Sequence, residues 1–490
     1  MKCGSLLSPY REAWNAIATG PRELKLLLLV IIISAFGTTA ISTILVIYLS
    51  DEFGYTDVEA TTLLAISAVS CFVLSLLIGR FIDKIGVRAS FVISGVLGVV
   101  GSLSLALAWS PRMIEFVVAF LLPLSIAFSA PVITIATKRF TYRKTLRIMC
   151  ANTYNIANVG ASFGYVFSDF IRARFRTRHS VAVYGDYSAT AARIIILFSA
   201  ITTLFAAMVA CGFRNIMIDS KGAVREFSAS SETTTSEAER LERAKHRWYK
   251  TFCESNFIRL ALFSIAMFPL MKMFSHFDVT FPKFAVRELG DNTLFGTIKA
   301  VNPIIIAVFQ LPFSHVFGRR FGIYTVVQIG TAVSALATFL FCLPPSYAAW
   351  VASFVCFTIG EMIFSHRTSE VATLLMPKGR EGIYLSLVGI YLVAPRFIVD
   401  SLSGWLLSTY CSATGERHCQ LMWLIIALMN CVTILLLALF RRYIVAGLNE
   451  NPDTSQGGEE DDEDEIELQD KQFIVIEAEH RKRPADNDND

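Results

Sequence analysis

The chain has 490 residues, of which 54% are hydrophobic and only 17% are charged, and its mean hydropathy is +0.52. A soluble protein carries about 25% charged residues, so this composition excludes an ordinary soluble protein and indicates a polytopic membrane protein. The net charge of +3 is too small to indicate nucleic-acid binding, and the sequence has no basic patch with interleaved aromatic residues. We therefore expect a lipid bilayer around the protein and no nucleic acid among its partners.

Long apolar runs recur along the chain. The first begins after residue 25, can cross a bilayer and lacks a small-residue cleavage site, so we expect a membrane helix and not a cleaved signal. Later runs of roughly 20 residues match a hydrocarbon core of about 30 Å. The sequence predicts twelve membrane segments, at 26–49, 61–79, 90–109, 115–137, 148–170, 191–213, 257–281, 297–317, 323–343, 348–374, 383–408 and 420–440.

A polar stretch divides these segments into two sets of six. We therefore expect an all-α membrane protein built from two six-helix bundles. The polar stretch is predicted to be flexible at first and then to form an amphipathic surface helix from Ser236 to Tyr249. The predicted domains are a cytoplasmic N-terminus at 1–25, bundles at 26–213 and 257–441, a cytoplasmic linker at 214–256 and a disordered acidic cytoplasmic tail at 442–490.

Lys and Arg residues in short loops predict orientation, because they concentrate on the cytoplasmic side. With the N-terminus inside, the inner loops are basic, whereas the outer loops 1–2 and 9–10 contain no Lys or Arg. One outer loop, between segments 5 and 6, opposes the pattern with Arg172, Arg174, Arg176 and Arg178. The count of Lys and Arg over all short loops favours both termini in the cytoplasm. This count does not distinguish a plasma membrane from an endolysosomal membrane.

A short charged motif separates segments 2 and 3, reading Gly79-Arg-Phe-Ile-Asp83-Lys84-Ile-Gly86-Val-Arg88. It resembles the loop signature of the major facilitator superfamily, whose layout is also two parallel six-helix repeats with cargo near the midplane. The resemblance implies a gating loop in which the glycines permit a tight turn and Asp83 caps a neighbouring helix. The matching place in the second half has Arg319 and Arg320 but lacks the aspartate.

Shorter matches resemble the proton-dependent oligopeptide transporter family. They are Ile44–Leu49, Pro131–Phe140, Tyr154–Gly160, Ile359–Glu361 and Met376–Gly382. That family pairs Glu and Arg residues on its first helix, but Ser34–Ala40 has no ionisable group here, and its helix-4 Lys falls at Ala130. The resemblance therefore implies a divergent branch without the family's proton-coupling groups in the first half.

An ionisable side chain inside a membrane helix costs at least ~2.5 kcal/mol and is a functional candidate for that reason. Glu361 lies near the middle of segment 10, where the resemblance places a glutamate that contacts a substrate amine or carries a proton. A structural pair with a neighbouring helix is the alternative. Lys272 and His276 share one face of segment 7. Lys272 would pair with Glu361, bind an anion or snorkel to the interface. His276, which is titratable near neutral pH, is a candidate for substrate binding or coupling, with a polar cap as the alternative.

Segments 5, 10 and 11 hold further candidates. Arg396 and Asp400 are spaced i, i+4, so they form either an internal salt bridge or a carboxylate site at Arg396. Asn155 and Asn158 lie three residues apart on one face, a pattern that favours packing between helices. Arg367 lies toward the inner end of segment 10 and is predicted to belong to an inner gate.

No metal or cofactor motif is present among the ten cysteines or elsewhere, since the sequence has no CxxC, nucleotide-binding loop or nucleophile–base pattern. We therefore expect no metal, no cofactor and no enzymatic activity. Cys411 and Cys419 flank a short polar loop. They either form a disulfide on an oxidising side of the membrane or remain free thiols.

Together these features predict a monomeric secondary transporter that carries a small-molecule substrate by alternating access. Cargo with both a carboxylate and an amine fits Glu361, Lys272 and Arg396, which favours an amino acid or short peptide and leaves proton coupling open. Another organic anion, a sugar or a drug moved by facilitated diffusion is the first alternative. A receptor or adaptor with this fold is the second, suggested by the uncharged first half and the acidic tail.

Overall fold

A computed structural model describes residues 4–142, 145–175, 190–214, 216–218, 224–226, 254–317, 322–375 and 397–449. This part of the chain is almost entirely helical. The helices are α1 Gly4–Thr19, α2 Arg22–Phe53, α3 Asp57–Ala106, α4 Pro111–Arg139, α5 Leu146–Arg174, α6 Ala191–Cys211, α7 Ser255–Leu289, α8 Phe295–Phe317, α9 Ile323–Ala337, α10 Tyr347–Leu374, α11 397–410 and α12 Cys419–Asn449. Helix α2 is segment 1, α3 holds segments 2 and 3, and from α4 onward helix and segment numbers agree.

Nine helical stretches in the described ranges are long and apolar enough to cross a membrane. Helix α8 adds a shorter apolar stretch, Phe295–Gln310, and α5 is 29 residues long. The predicted helical membrane architecture is therefore confirmed. The count of twelve stays a prediction, because residues 376–396, which hold the loop after segment 10 and the first part of segment 11, lie outside the described residues.

The linker begins with a small hairpin that the sequence analysis did not predict. Strand β1, Ile216–Ile218, pairs antiparallel with β2, Val224–Glu226. The Ile216 side chain is buried against the first bundle, so apolar burial stabilises a stretch that was expected to be flexible. The predicted surface helix from Ser236 to Tyr249 and the tail from 450 onward lie outside the described residues.

The predicted loop between segments 2 and 3 is helical at most of its positions. Within α3 the non-helical residue is Gly86, with φ 80° and ψ 173°. Glycine reaches a positive φ at little steric cost, so one residue suffices to break the helix there. Ser90 donates from its hydroxyl to the Gly86 carbonyl at 2.8 Å. The expected tight turn is therefore confined to this single break at Gly86, and the charged positions around it are helical.

Two glycines bring α5 close to α2. A Cβ on Gly160 would lie 2.3 Å from the carbonyl oxygen of Ile32, and one on Gly164 would lie 2.6 Å from that of Phe36. The spacing of four residues puts both glycines on one helix face, where small residues let membrane helices approach closely. This contact fixes the position of α5, which carries Tyr154 into the interior.

An aromatic core holds the second half together. Phe341 stacks on Trp423 with ring centroids 4.4 Å apart, and Phe281 meets Trp350 edge-on at 5.5 Å. Aromatic pairs of this kind add to the burial of apolar area. The core links α7, α10 and α12, so it determines where the charged residues of α7 and α10 project.

The two halves meet along α5 and α8 and along α2 and α7, which pack side by side. Helices α2 and α7 end at the same end of the bundle, where α3 and α8 begin. We refer to it as the α2–α3 end. Any side chain that reaches from α5 to α8, or from α2 or α3 to α7, therefore joins the halves.

Candidate functional site

Glu361 of α10 is buried, with 4% of its surface exposed, and neutral groups surround its carboxylate. Asn302 of α8 donates from Nδ2 to Oε2 at 2.7 Å and also lies 2.9 Å from the Thr358 hydroxyl. Tyr154 of α5 donates from its hydroxyl to Oε1 at 3.3 Å. No cation is paired with Glu361 among the described side chains, so dipoles alone balance its negative charge when it is ionised.

This site crosses the boundary between the halves. Tyr154 comes from the first half, whereas Asn302 and Glu361 come from the second. The Tyr154 side chain is 41% exposed, so the carboxylate cluster adjoins accessible space. A relative movement of α5 and α8 would break the Tyr154 contact and change the environment of Glu361.

The two predicted asparagines of α5 both follow Tyr154 within four residues. Asn158 donates from Nδ2 to the Tyr154 backbone carbonyl at 2.9 Å, within its own helix. Asn155 is buried, and its Oδ1 has no hydrogen-bond partner in the described structure. The helix-packing role stays a prediction for this pair, and Asn155 presents an unsatisfied acceptor near the site.

Lys272 of α7 is also buried, at 5% exposure, which argues against snorkelling to the interface. Its Nζ lies 5.7 Å from the centre of the Phe268 ring. It makes no ion pair with Glu361 or with any other carboxylate that the structure describes. The predicted Lys272–Glu361 pair is therefore absent, and the interior holds one carboxyl and one amine that are not paired with each other.

His276 connects two helices and does not join the Glu361 cluster. Its Nδ1 lies 2.9 Å from the Thr280 hydroxyl and 3.1 Å from that of Ser403 on α11. It is 1% exposed, in keeping with a polar structural contact. Asp400 of α11 is buried as well, whereas Arg396 lies outside the described residues, so their predicted pair stays a prediction.

A second buried lysine was not selected from the sequence. Lys299 of α8 is 2% exposed, and its Nζ lies 2.9 Å from Asp278 Oδ1 on α7. The same Nζ lies 4.6 Å from the centre of the Tyr165 ring on α5. This lysine is electrically paired, in contrast to Lys272, and it also contacts both halves.

The α2–α3 end is closed by charges that the sequence analysis did not select. Asp57 at the start of α3 accepts from Lys283 at 2.7 Å and from Arg287 at 2.7 and 2.9 Å. Lys283 also donates to the Ser50 hydroxyl at 2.6 Å. Because Asp57 and Ser50 belong to the first half and both cations to α7, the cluster joins the halves.

Arg172, one of the four arginines that opposed the predicted orientation, has a structural explanation. It pairs with buried Asp169 at 3.3 Å and donates to the backbone carbonyls of Thr293 and Asp291, each at 3.1 Å. Asp169 accepts from the Thr297 backbone N–H at 2.6 Å, near the start of α8. Arg172 therefore forms part of a second closure between the halves, and its position follows from these contacts.

The predicted gating residues are only partly described. The Arg88 side chain is exposed, and Arg367 pairs with Glu370 one turn away in its own helix. No described contact joins either arginine to the opposite half. The structure does not describe the surroundings of Gly79, Asp83 and Lys84, and it does not describe Arg319 and Arg320 at all. The gating role of these residues stays a prediction.

A cavity of about 510 Å³ lies elsewhere, between α2, α5 and α6. Its lining is apolar apart from Thr202 and includes exposed Phe163 and Met208. These side chains face away from the protein core, as expected for a groove on the lipid-facing surface. It offers no group that would recognise a polar cargo.

The most informative residues missed in the sequence analysis are Tyr154 and Asn302 at Glu361, and Asp57, Lys283 and Arg287 at the α2–α3 end. Tyr154 and Asn302 are uncharged, so the search for intramembrane charge passed over them. Asn302 did have a signal, since a polar residue directly before Pro303 lies in an apolar run. The three charged residues at the α2–α3 end look like ordinary interfacial residues in the sequence. Their pairing depends on helix packing, so the sequence gives no signal for it.

Comparison with known proteins places the chain among transporters. Residues 27–399 match the model of the Major Facilitator Superfamily. An uncharacterized MFS-type transporter, YqjV of Bacillus subtilis (strain 168), is 28% identical over 120 residues, which is 24% of this chain and 29% of that protein. The match therefore spans less than a third of that relative.

Solved structures share the fold at low sequence identity. A peptide transporter POT in complex with sulfate has a TM-score of 0.65 at 14% identity, with 89% of this chain and 99% of that chain covered. A POT family transporter in complex with 5-aminolevulinic acid has a TM-score of 0.60 at 16% identity, covering 86% and 97%. The nucleoside transporter NupG has a TM-score of 0.57 at 16% identity, covering 85% and 99%. Because the family model spans most of a multi-pass helical chain, this protein belongs to the Major Facilitator Superfamily.

Proposed function

We propose that the protein moves a small polar organic solute across its membrane by alternating access, and that an amino acid or short peptide is the cargo class. The observation that carries the proposal is the Glu361 cluster. A buried carboxyl that has no cationic partner among the described residues, contacted from both halves, needs a cation or a proton to complete it. A cargo amine supplies the first and proton coupling the second.

The Lys272 ammonium supports cargo that also carries an anion. It is buried without a carboxylate partner in the described structure, so a cargo carboxylate would offset the cost of its burial. Among solved structures of similar fold, one holds 5-aminolevulinic acid and another holds sulfate. The first of these ligands has an amine and a carboxylate, the combination that Glu361 and Lys272 would recognise.

The orientation is part of the proposal, with both termini in the cytoplasm and the α2–α3 end outside. The basic inner loops support it through the positive-inside tendency. The Cys411–Cys419 disulfide, at the end where α11 finishes, supports it too, since such bonds persist in oxidising surroundings. In this arrangement the described conformation is closed on the outside by the Asp57 and Asp169 clusters.

Uptake into proteoliposomes containing the purified full-length chain tests the proposal. A panel of labelled amino acids, di- and tripeptides, sugars, nucleosides and organic anions is offered with and without an inward proton gradient. We expect uptake of at least one compound with both an amine and a carboxylate, reduced by unlabelled analogues. Uptake confined to sugars or nucleosides would overturn the cargo class.

Absence of flux for every compound, in a preparation whose thermal stability is raised by none of them, would overturn the transport proposal. Stimulation of uptake by the proton gradient would establish coupling, and equal uptake without it would establish facilitated diffusion. If the protein is instead a receptor or adaptor with this fold, we expect a ligand to raise its thermal stability without any flux.

A further inference from the structure

The disulfide loop after α11 contacts the closed α2–α3 end directly. Cys411 and Cys419 are bonded, with Cα atoms 4.7 Å apart and both side chains fully buried. Inside the loop, the His418 backbone N–H donates to the Tyr410 carbonyl at 2.7 Å. The bond and this contact close a compact turn at the end of α11, next to the end of α7.

Arg287 of α7 lies between this loop and the first half. Its Nη1 donates to the Cys411 backbone carbonyl at 2.6 Å, and its Nη2 donates to both Asp57 carboxylate oxygens, at 2.7 and 2.9 Å. One planar guanidinium therefore contacts the loop with one nitrogen and the opposite half with the other. Its fork is rigid, so the position of the Cys411 carbonyl sets how Nη2 faces Asp57.

The loop also returns a contact to the same helix. Arg417 donates from Nη1 to the Arg287 backbone carbonyl, and from Nε to the Ser412 carbonyl at 3.2 Å. Thus the backbone and the side chain of Arg287 are both held by residues between Cys411 and Cys419. Lys283, the other cation on Asp57, has no described contact with this loop.

The surroundings of the sulfur atoms favour a permanent bond. A Glu288 carboxylate oxygen and both sulfurs lie within 4.8 Å of one another. A negative charge there disfavours a thiolate, and thiolates carry out disulfide exchange. The bond is thereby protected from exchange, in keeping with a structural and not a redox role.

We propose that the disulfide-closed loop 411–419 is a positioning element for the gate, which holds Arg287 against Asp57 and so stabilises the closed α2–α3 end. It rests on the proposed alternating access, in which this end opens during the cycle. Without the bond, the Cys411 carbonyl is no longer fixed, Arg287 loses its orientation, and the closed end opens more often.

Hydrogen-exchange mass spectrometry on the full-length protein in lipid nanodiscs tests this, with backbone amides of 50–60 and 284–294 as the readout. We expect the Cys411→Ser/Cys419→Ser variant to raise exchange at 50–60 about three- to tenfold, approaching the effect of Asp57→Asn. In an Arg287→Gln background the same double substitution should add no further rise, because its effect passes through Arg287. Cys71→Ser, at a cysteine of α3 that is not in a disulfide, is the matched control and should leave exchange unchanged.

Reduction of the folded wild-type protein provides a second test, which does not require the double variant to fold. Because both sulfurs are buried, a phosphine reductant is applied until the intact mass shows that the bond is reduced. The reduced wild type should then show raised exchange at 50–60, and the same treatment should leave the Cys411→Ser/Cys419→Ser variant unaffected. An equal rise in the Arg287→Gln background, or a rise confined to the loop itself, would overturn the proposal. The exchange measurement needs no cargo. If the protein transports nothing but shows the expected exchange pattern, the result counts against the proposed function alone.

Discussion

The interior site and the closed end differ in how completely their charges are paired. At the α2–α3 end, Asp57 is bound by two cations, Lys283 and Arg287. In the interior, Glu361 is hydrogen-bonded by Asn302 and Tyr154 and has no described cation. Both regions join the same two halves, so the contrast lies in their charge balance and not in their location between them.

This difference indicates different tasks. A buried pair is stable because each charge compensates the other, whereas a buried unpaired charge is costly until a proton or ligand completes it. The closed end can therefore hold one conformation with the protein's own groups. In the interior, the charge of Glu361 is left for a bound proton or cation to balance. The Lys272 ammonium is in the corresponding situation and would be balanced by a bound anion.

Glu361→Gln should have the largest effect, because it removes the ionisable group and nearly preserves its shape. We expect gradient-driven uptake to fall to the level of empty liposomes while exchange of cargo across the membrane stays measurable. Glu370→Gln, in the same helix and paired locally with Arg367, is the control and should retain driven uptake. Driven uptake at the wild-type rate in Glu361→Gln would show that Glu361 does not couple protons.

Asp57→Asn should come next, since it leaves Lys283 and Arg287 facing each other without their anion. Breaking a buried pair costs about 3 kcal/mol, and here the loss falls on the closed conformation. We expect faster hydrogen exchange at the amides of 50–60. Asp291→Asn, whose exposed side chain lies at the same end, should change little, and an equal effect there would mean that general loss of charge is responsible.

Lys272 and Lys299, both buried, should respond to the same substitution with opposite signs. Lys272→Met removes an ammonium without a described carboxylate partner and should raise thermal stability, whereas Lys299→Met leaves Asp278 without its ammonium and should lower stability by about 2 kcal/mol. Thermal unfolding in detergent measures both. Lys272→Met should also weaken binding of a carboxylate cargo, and unchanged affinity would remove Lys272 from the site.

Tyr154→Phe should have the smallest effect. It deletes one hydrogen bond to Glu361, worth about 1 kcal/mol, and leaves Asn302 in place. We expect a drop in uptake of about three- to tenfold with unchanged expression. Tyr165→Phe on the same helix is a useful comparison, because its ring lies over Lys299 and not at Glu361. An equal loss in both variants would point to packing of α5 and not to Glu361.

The helices and one member of the site were predictable from sequence. Each apolar run has the length that a bilayer requires, and Glu361 stands out because charge within such a run is rare. The break at Gly86 was predicted in position but not in extent, because helical propensity continues through the charged residues around it. Of the roles left open for Lys272, pairing with Glu361 is not seen among the described contacts, since opposite charges on two membrane helices need not face each other.

The sequence by itself determined the apolar membrane segments and the presence of Glu361 within one of them, because hydropathy is a local property of consecutive residues. Only the tertiary structure decided which groups meet. Tyr154 and Asn302 reach Glu361 from distant parts of the chain, and Asp57 reaches Arg287 across the boundary between halves. These contacts depend on how helices pack and rotate against each other, which the order of residues along one helix does not contain.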